Sequence, residues 1–186
     1  NDLTEDVVRA GAVPTILGLL AHPRHSLRRE AAWALSNIAG GTPAQIAVLL
    51  DCGALGLLLT SVREDRHEVV RECMWTLSNI CKGSMPEQLA RVMREQSQAG
   101  DDVVSVLCGQ VDPAAGIASQ LAVEALEHLA QHGHKAHVKS LQSNPATARI
   151  MTHMQGTTWL EELVVQGDDS TSRAAANLLH FMVNGD

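Results

Sequence analysis

Apolar and polar positions alternate along this chain in short helical blocks, each closed by glycine, proline or a polar turn. Leu3 to Ala10 is a short helical pattern ended by Gly11. Val13 to Ala21 is an apolar second helix with Pro14 in its first turn, where a missing N–H costs little. After a turn at 22–26, Leu27 to Ala39 forms a third and longest helix, stopped by Gly40 and Gly41. The same order returns in Pro43 to Cys52, Ala54 to Val62 and His67 to Cys81. Two looser sets follow: Met85 to Ala99, Asp101 to Val111 and Ile117 to Gln131, then Ala146 to Gln155, Thr158 to Val165 and Ser170 to Val183. Residues 132–145 read as a polar interruption, a loop or a short helix with weak ends.

The blocks repeat in detail. Glu30-Ala31-Ala32-Trp33-Ala34-Leu35-Ser36-Asn37-Ile38 comes back 42 residues later as Glu72-Cys73-Met74-Trp75-Thr76-Leu77-Ser78-Asn79-Ile80. The corner glycines Gly11 and Gly53 keep the same offset. A fixed period of roughly 40–47 residues marks a helical solenoid of the armadillo or HEAT kind. The expected fold is all-α: one right-handed superhelical array of about four three-helix repeats, near residues 1–41, 42–83, 84–132 and 143–186.

Composition supports helices over sheets. Hydrophobic residues make up 45% and aromatics 2%, so the core is built from Ala, Leu and Val, which suits closely packed helices. The formal charge of −7 argues against nucleic acid and anionic membrane as main partners and leaves room for a basic ligand. No apolar run approaches the roughly 20 residues of a membrane span. The chain opens without a methionine or a signal peptide and reads as a fragment. Cys52, Cys73, Cys81 and Cys108 form no C-x-x-C and read as buried reduced thiols of an intracellular protein.

In each copy of the repeated segment, the Trp and Asn lie four apart on one helix face, with a Glu three residues earlier. Glu30, Trp33, Asn37, Glu72, Trp75 and Asn79 are therefore the candidate binding residues. A carboxamide offers donors and an acceptor together, so it can pair with both the N–H and the C=O of an extended strand. Indole faces attract ammonium and guanidinium groups at roughly 0.5–2 kcal/mol each, while the apolar stem lies along the ring. The acids can pair with the charged tip. Ser36 and Ser78 read as small residues that let helices approach. In the third long helix Glu124 replaces the Trp and His128 the Asn, so the gripping surface is expected to stop after two pockets. Lys82, three residues past Asn79, adds a positive charge beside a site meant for cations. His128 and His132 have i, i+4 spacing, but nothing completes a metal set, and they are expected to face solvent. No nucleophile–base or phosphate-loop motif occurs, so neither an enzyme nor a cofactor is expected.

The run from Glu30 to Ile46, E-A-A-W-A-L-S-N-I-A-G-G-T-P-A-Q-I, resembles the third armadillo helix and following first helix of the importin-α (karyopherin-α) family. The second E-x-x-W-x-L-S-N matches equally, and the helix A-V-E-A-L-E-H-L with the polar insert after it is similar to the family's last repeats. The resemblance implies the C-terminal repeats, about the seventh to the tenth, of a nuclear import adaptor that shuttles between cytoplasm and nucleus. It implies that basic nuclear-localisation peptides lie extended in a concave groove, with the asparagines on the peptide backbone and the tryptophans on Lys and Arg stems. This would be the minor cargo site. Importin-β would bind through an N-terminal segment missing here, and the export receptor and a nucleoporin would meet the C-terminal repeats. Two competing readings stand beside it: an armadillo scaffold for another partner, and a region serving chiefly the export-receptor or nucleoporin interface.

Overall fold

The computed structural model describes residues 3–112, 116–137, 158–166 and 169–184. Within them the first repeat comprises α1 (Leu3–Arg9), α2 (Val13–Gly18) with a 3-10 turn at Leu19–Ala21, and α3 (His25–Ala39). The second comprises α4 (Pro43–Asp51), α5 (Ala54–Glu64) and α6 (His67–Gly83), and the third α7 (Pro86–Arg94), α8 (Val103–Cys108) and α9 (Ile117–His137). The fourth contributes α10 (Thr158–Gln166) and α11 (Asp169–Asn184). The helix expected over Ala146 to Gln155 lies outside the described residues. Among those residues there is no strand, only an isolated bridge between Gln96 and Asp102.

The long helices form one continuous layer: α3 packs on α6, α6 on α9 and α9 on α11. A helical solenoid needs this arrangement, because each repeat covers its neighbour's apolar face. Leu35, Ile38, Leu77, Ile80, Leu126 and Leu129 are buried in one hydrophobic cluster that extends from Val13 to Met182. Among the described residues no single helix is long and apolar enough to cross a membrane.

Local chemistry sets the corners. Gly11, Gly53 and Gly100 adopt φ of +70°, +75° and +85° between the first and second helices of successive repeats, a region that L side chains rarely enter. Thr42 caps α4: its hydroxyl accepts from the Gln45 N–H at 3.3 Å, and Gln45 Oε1 accepts from the Thr42 N–H at 2.9 Å. The Gln45 Nε2 then reaches back to Thr4 and Glu5 of α1, as Gln88 Nε2 reaches the Pro43 carbonyl. Equivalent glutamines thus tie each first helix to the one before it.

Several expected boundaries differ, three of them for identifiable reasons or with a consequence for packing. Helix α7 stops at Arg94 rather than at Ala99, because Ser97 nucleates a turn: its hydroxyl accepts from the N–H groups of Ala99 and Asp101, while its own N–H donates to the Asp101 carbonyl. Helix α6 runs through Gly83, where a Cβ would come within 2.7 Å of Ile46 Cδ1. That glycine allows close packing; it does not end the helix. Helix α9 runs on to His137, past the start expected for the polar interruption, although Gly133 and the histidines there are poor helix formers.

A bidentate ion pair adds a clamp. Arg28 Nε and one terminal nitrogen lie 2.6 Å and 2.8 Å from the two carboxylate oxygens of Asp65. It joins the start of α3 to the turn before α6. The Arg28 hydrogen bonds outweigh burial and hold the Asp65 carboxyl below the usual carboxylate range.

Candidate functional site

Helices α3 and α6 are buried along one stripe and open along another. Leu35, Ile38, Leu77 and Ile80 fill the buried stripe. Trp33 and Trp75, two and five residues before them in each copy, are 56% and 37% exposed. An indole left open to that extent is unusual in a chain so poor in aromatics, and both indoles border the same hollow. That hollow, about 370 Å³, is lined by Trp33, Ser36, Asn37 and Gly40 from α3 and its cap, and by Glu72, Trp75 and Asn79 from α6.

The polar groups within it are ordered. Asn37 Nδ2 donates to the Trp33 carbonyl one turn back at 3.0 Å, and the Ser36 hydroxyl donates to that same carbonyl at 2.8 Å. Asn79 Nδ2 instead crosses to the neighbouring helix and donates to the Ser36 carbonyl at 3.1 Å. Each carboxamide has a second N–H and two lone pairs beyond these bonds, so each can still both donate and accept. Gly40 keeps the passage narrow-walled: a Cβ there would stand 3.3 Å from Asn79 Nδ2.

The acids behave differently from one another. Glu72 lines the hollow, its side chain 12% exposed, and accepts from Arg71 at 3.0 Å. Glu30 stays outside the lining and is bound by its neighbour Arg29 at 2.6 Å. Hydrogen bonding to Glu30, with the charges of Glu30, Glu68 and Glu72, raises the Arg29 pKa above its ordinary value. The negative charge around the indoles is thus partly met by arginines of the chain itself.

Glu124 and His128 do not join this hollow. They line the next one along the layer, of about 280 Å³, with Lys82, Glu127 and Gln131. Burial would pull the Glu124 carboxyl up, but hydrogen bonds from Lys82 and Gln120 outweigh it and hold it below the usual range. Glu127 goes the other way, raised by burial and by the charge of Glu124 against a hydrogen bond from Asn177. The histidines were expected to face solvent; instead His128 and His132 are half-buried and stacked, with ring centroids 3.9 Å apart. Stacking along one helix face withdraws both rings from water. Among the described residues no three His, Cys, Asp or Glu side chains gather at metal-binding range. Gly40, Glu127 and Gln131 escaped the sequence reading. Of these only Gly40 carried a signal, the absence of a side chain where the next repeat has Lys82.

The armadillo/β-catenin-like repeat model matches residues 1–40 and 42–82, the first two three-helix units. Importin subunit α-1b of Oryza sativa subsp. japonica is 42% identical over 55 residues, which span 30% of this chain and 10% of that protein. Importin subunit α-B of Dictyostelium discoideum is 44% identical over 52 residues, spanning 27% of this chain and 10% of that protein. The first two repeats match the armadillo model, and a stretch of 52–55 residues is similar to importin-α subunits. The matched stretch spans about a tenth of the length of these importin-α relatives. A designed armadillo-repeat protein in complex with the peptide (KR)4 superposes with a TM-score of 0.78 at 24% identity, covering 98% of this chain and 69% of that one. An engineered protein superposes over 100% of this chain and 68% of its own, with a TM-score of 0.78 at 23% identity. At that identity the two structures establish the shared helical solenoid. The importin-α-like reading rests on the sequence matches.

Proposed function

We propose that the hollow between α3 and α6 is a peptide-binding groove of a nuclear import adaptor, taking an extended Lys/Arg-rich segment such as a nuclear-localisation signal. The observation that carries this is the pair of open indoles, Trp33 and Trp75, bordering one hollow with Asn37, Asn79 and Glu72. Packed helices lie roughly 8–10 Å apart, the length of about three extended residues. Successive carboxamides can therefore meet the backbone of one strand at successive sites. Lysine and arginine stems lie along the indole faces, and Glu72 faces their charged ends. Each contact is modest, so affinity comes from several pockets engaged together.

The similarity to importin subunits supports a role in nuclear import. Importin-β, an export receptor and a nucleoporin are the further partners that the family resemblance implies. In this reading the chain is an adaptor without catalysis, cofactor or metal. The test is NMR titration of the indole Nε1–H signals. Adding (KR)4 should shift the Trp33 and Trp75 signals and saturate, while a Ser/Gly peptide of equal length should not. Unmoved Trp33 and Trp75 signals under saturating (KR)4 would refute the groove.

A further inference from the structure

The groove changes character one section beyond Trp75. There α6 contributes Lys82, which stands 42 residues after Gly40 and so occupies the repeat position that carries no side chain in the first section. The facing wall is α9, where Glu124 holds the place of the tryptophan and His128 that of the asparagine. Lys82 Nζ lies 2.8 Å from Glu124 Oε2. The other Glu124 oxygen accepts from Gln120 Nε2 at 2.9 Å, and Glu127 Oε1 accepts from Gln131 Nε2 at 3.3 Å. An ammonium group on an aliphatic stem, set against carboxylates in a groove section, is what a bound lysine of a peptide would supply. Here the chain supplies it.

We propose that Lys82 acts as a built-in occupant that closes the hollow between α6 and α9, so that a cationic ligand is read as far as Trp75 and no further. This rests on the groove reading above. Glu124 is neutralised in place, and a ligand lysine arriving there meets an ammonium already bound. Lys82 thereby sets the length of basic run that the groove rewards. Gly40 leaves the equivalent position of the first section open, which is why the two sections differ although the backbone repeats.

The experiment compares two eight-residue peptides by calorimetric titration: (KR)4, and KRKRSGSG with half its charge. Eight extended residues span about 26–29 Å, enough to cross α3, α6 and α9 at roughly 8–10 Å between neighbouring helices. Lys82→Met keeps the stem and removes the ammonium. It should tighten (KR)4 about tenfold and KRKRSGSG less than twofold, and adding Glu124→Gln should abolish the gain. Equal tightening of both peptides, which bulk charge alone would give, overturns the proposal, as does no tightening at all. Lys82→Gln repeats the comparison should the Met variant fold poorly. Wild-type (KR)4 binding that ignores Trp75→Ala removes the groove reading and this inference together. Binding that needs Trp75 yet ignores Lys82→Met removes this inference alone.

Discussion

Asn79 Nδ2 donates to the carbonyl oxygen of Ser36 at 3.1 Å, from the C-terminal third of one long helix to that of the preceding one. The equivalent Asn37 bonds only within its own helix, to the Trp33 carbonyl. Two residues at the same repeat position thus carry unequal structural duties. Asn79 lines the hollow and also ties the joint between repeats.

Truncating the two asparagines should therefore give different results. Asn79→Ala should lower stability by about 1 kcal/mol, the net worth of a typical hydrogen bond, and also weaken binding of (KR)4. Asn37→Ala should weaken binding with little change in stability. Denaturant unfolding beside calorimetric titration separates the effects, and equal destabilisation by both variants would contradict the assignment.

Leu77 is fully buried where α6 meets the layers on either side. Leu77→Ala leaves a cavity in the middle of the stack and should cost about 2–5 kcal/mol. A loss under about 1 kcal/mol in urea unfolding would mean that the repeats pack more loosely than described.

The Arg28–Asp65 clamp predicts a pH window. The folded Asp65 carboxyl lies below its ordinary value, so its stabilisation is complete above about pH 4, the unfolded aspartate range, and is lost as pH falls through the folded value. Asp65→Asn should melt at a lower temperature than wild type by a constant margin from pH 5 to 7. That margin should narrow below pH 4. A margin independent of pH down to pH 2 would count against the ion pair.

Cysteine reactivity should follow burial. Burial pushes the Cys73 and Cys81 thiols up to about 12, leaving almost no thiolate at neutral pH. Cys52 is partly exposed. Iodoacetamide at pH 7.5 should label Cys52 in the folded protein and reach Cys73 and Cys81 only on unfolding. Peptide mass mapping checks this, and early labelling of Cys81 would contradict its burial on α6.

The solenoid was legible because its signals are local and repeated: a 42-residue period, corner glycines at fixed offset, and apolar residues along one stripe of each long helix. The exposed position of Trp33 and Trp75 could be anticipated from the asparagine four residues on. What stayed hidden depends on register between repeats. The Arg28–Asp65 and Lys82–Glu124 pairs join residues 37 and 42 positions apart, and nothing in either local pattern names the partner. Glu30 and Glu72 are each bound by the arginine before them, yet only Glu72 lines the hollow, a difference that helical spacing does not reveal. The early stop of α7 is hidden in the sequence because Ser97 acts through its hydroxyl in a turn, which helical periodicity does not reveal.

The most direct test is the dissociation constant of (KR)4 measured by calorimetry for wild type and for the Trp33→Ala/Trp75→Ala double variant. With about 0.5–2 kcal/mol from each indole, the double variant should bind about fivefold or more weakly while its helical content is unchanged. An unaltered dissociation constant would mean that the two open indoles are not where a cationic strand binds.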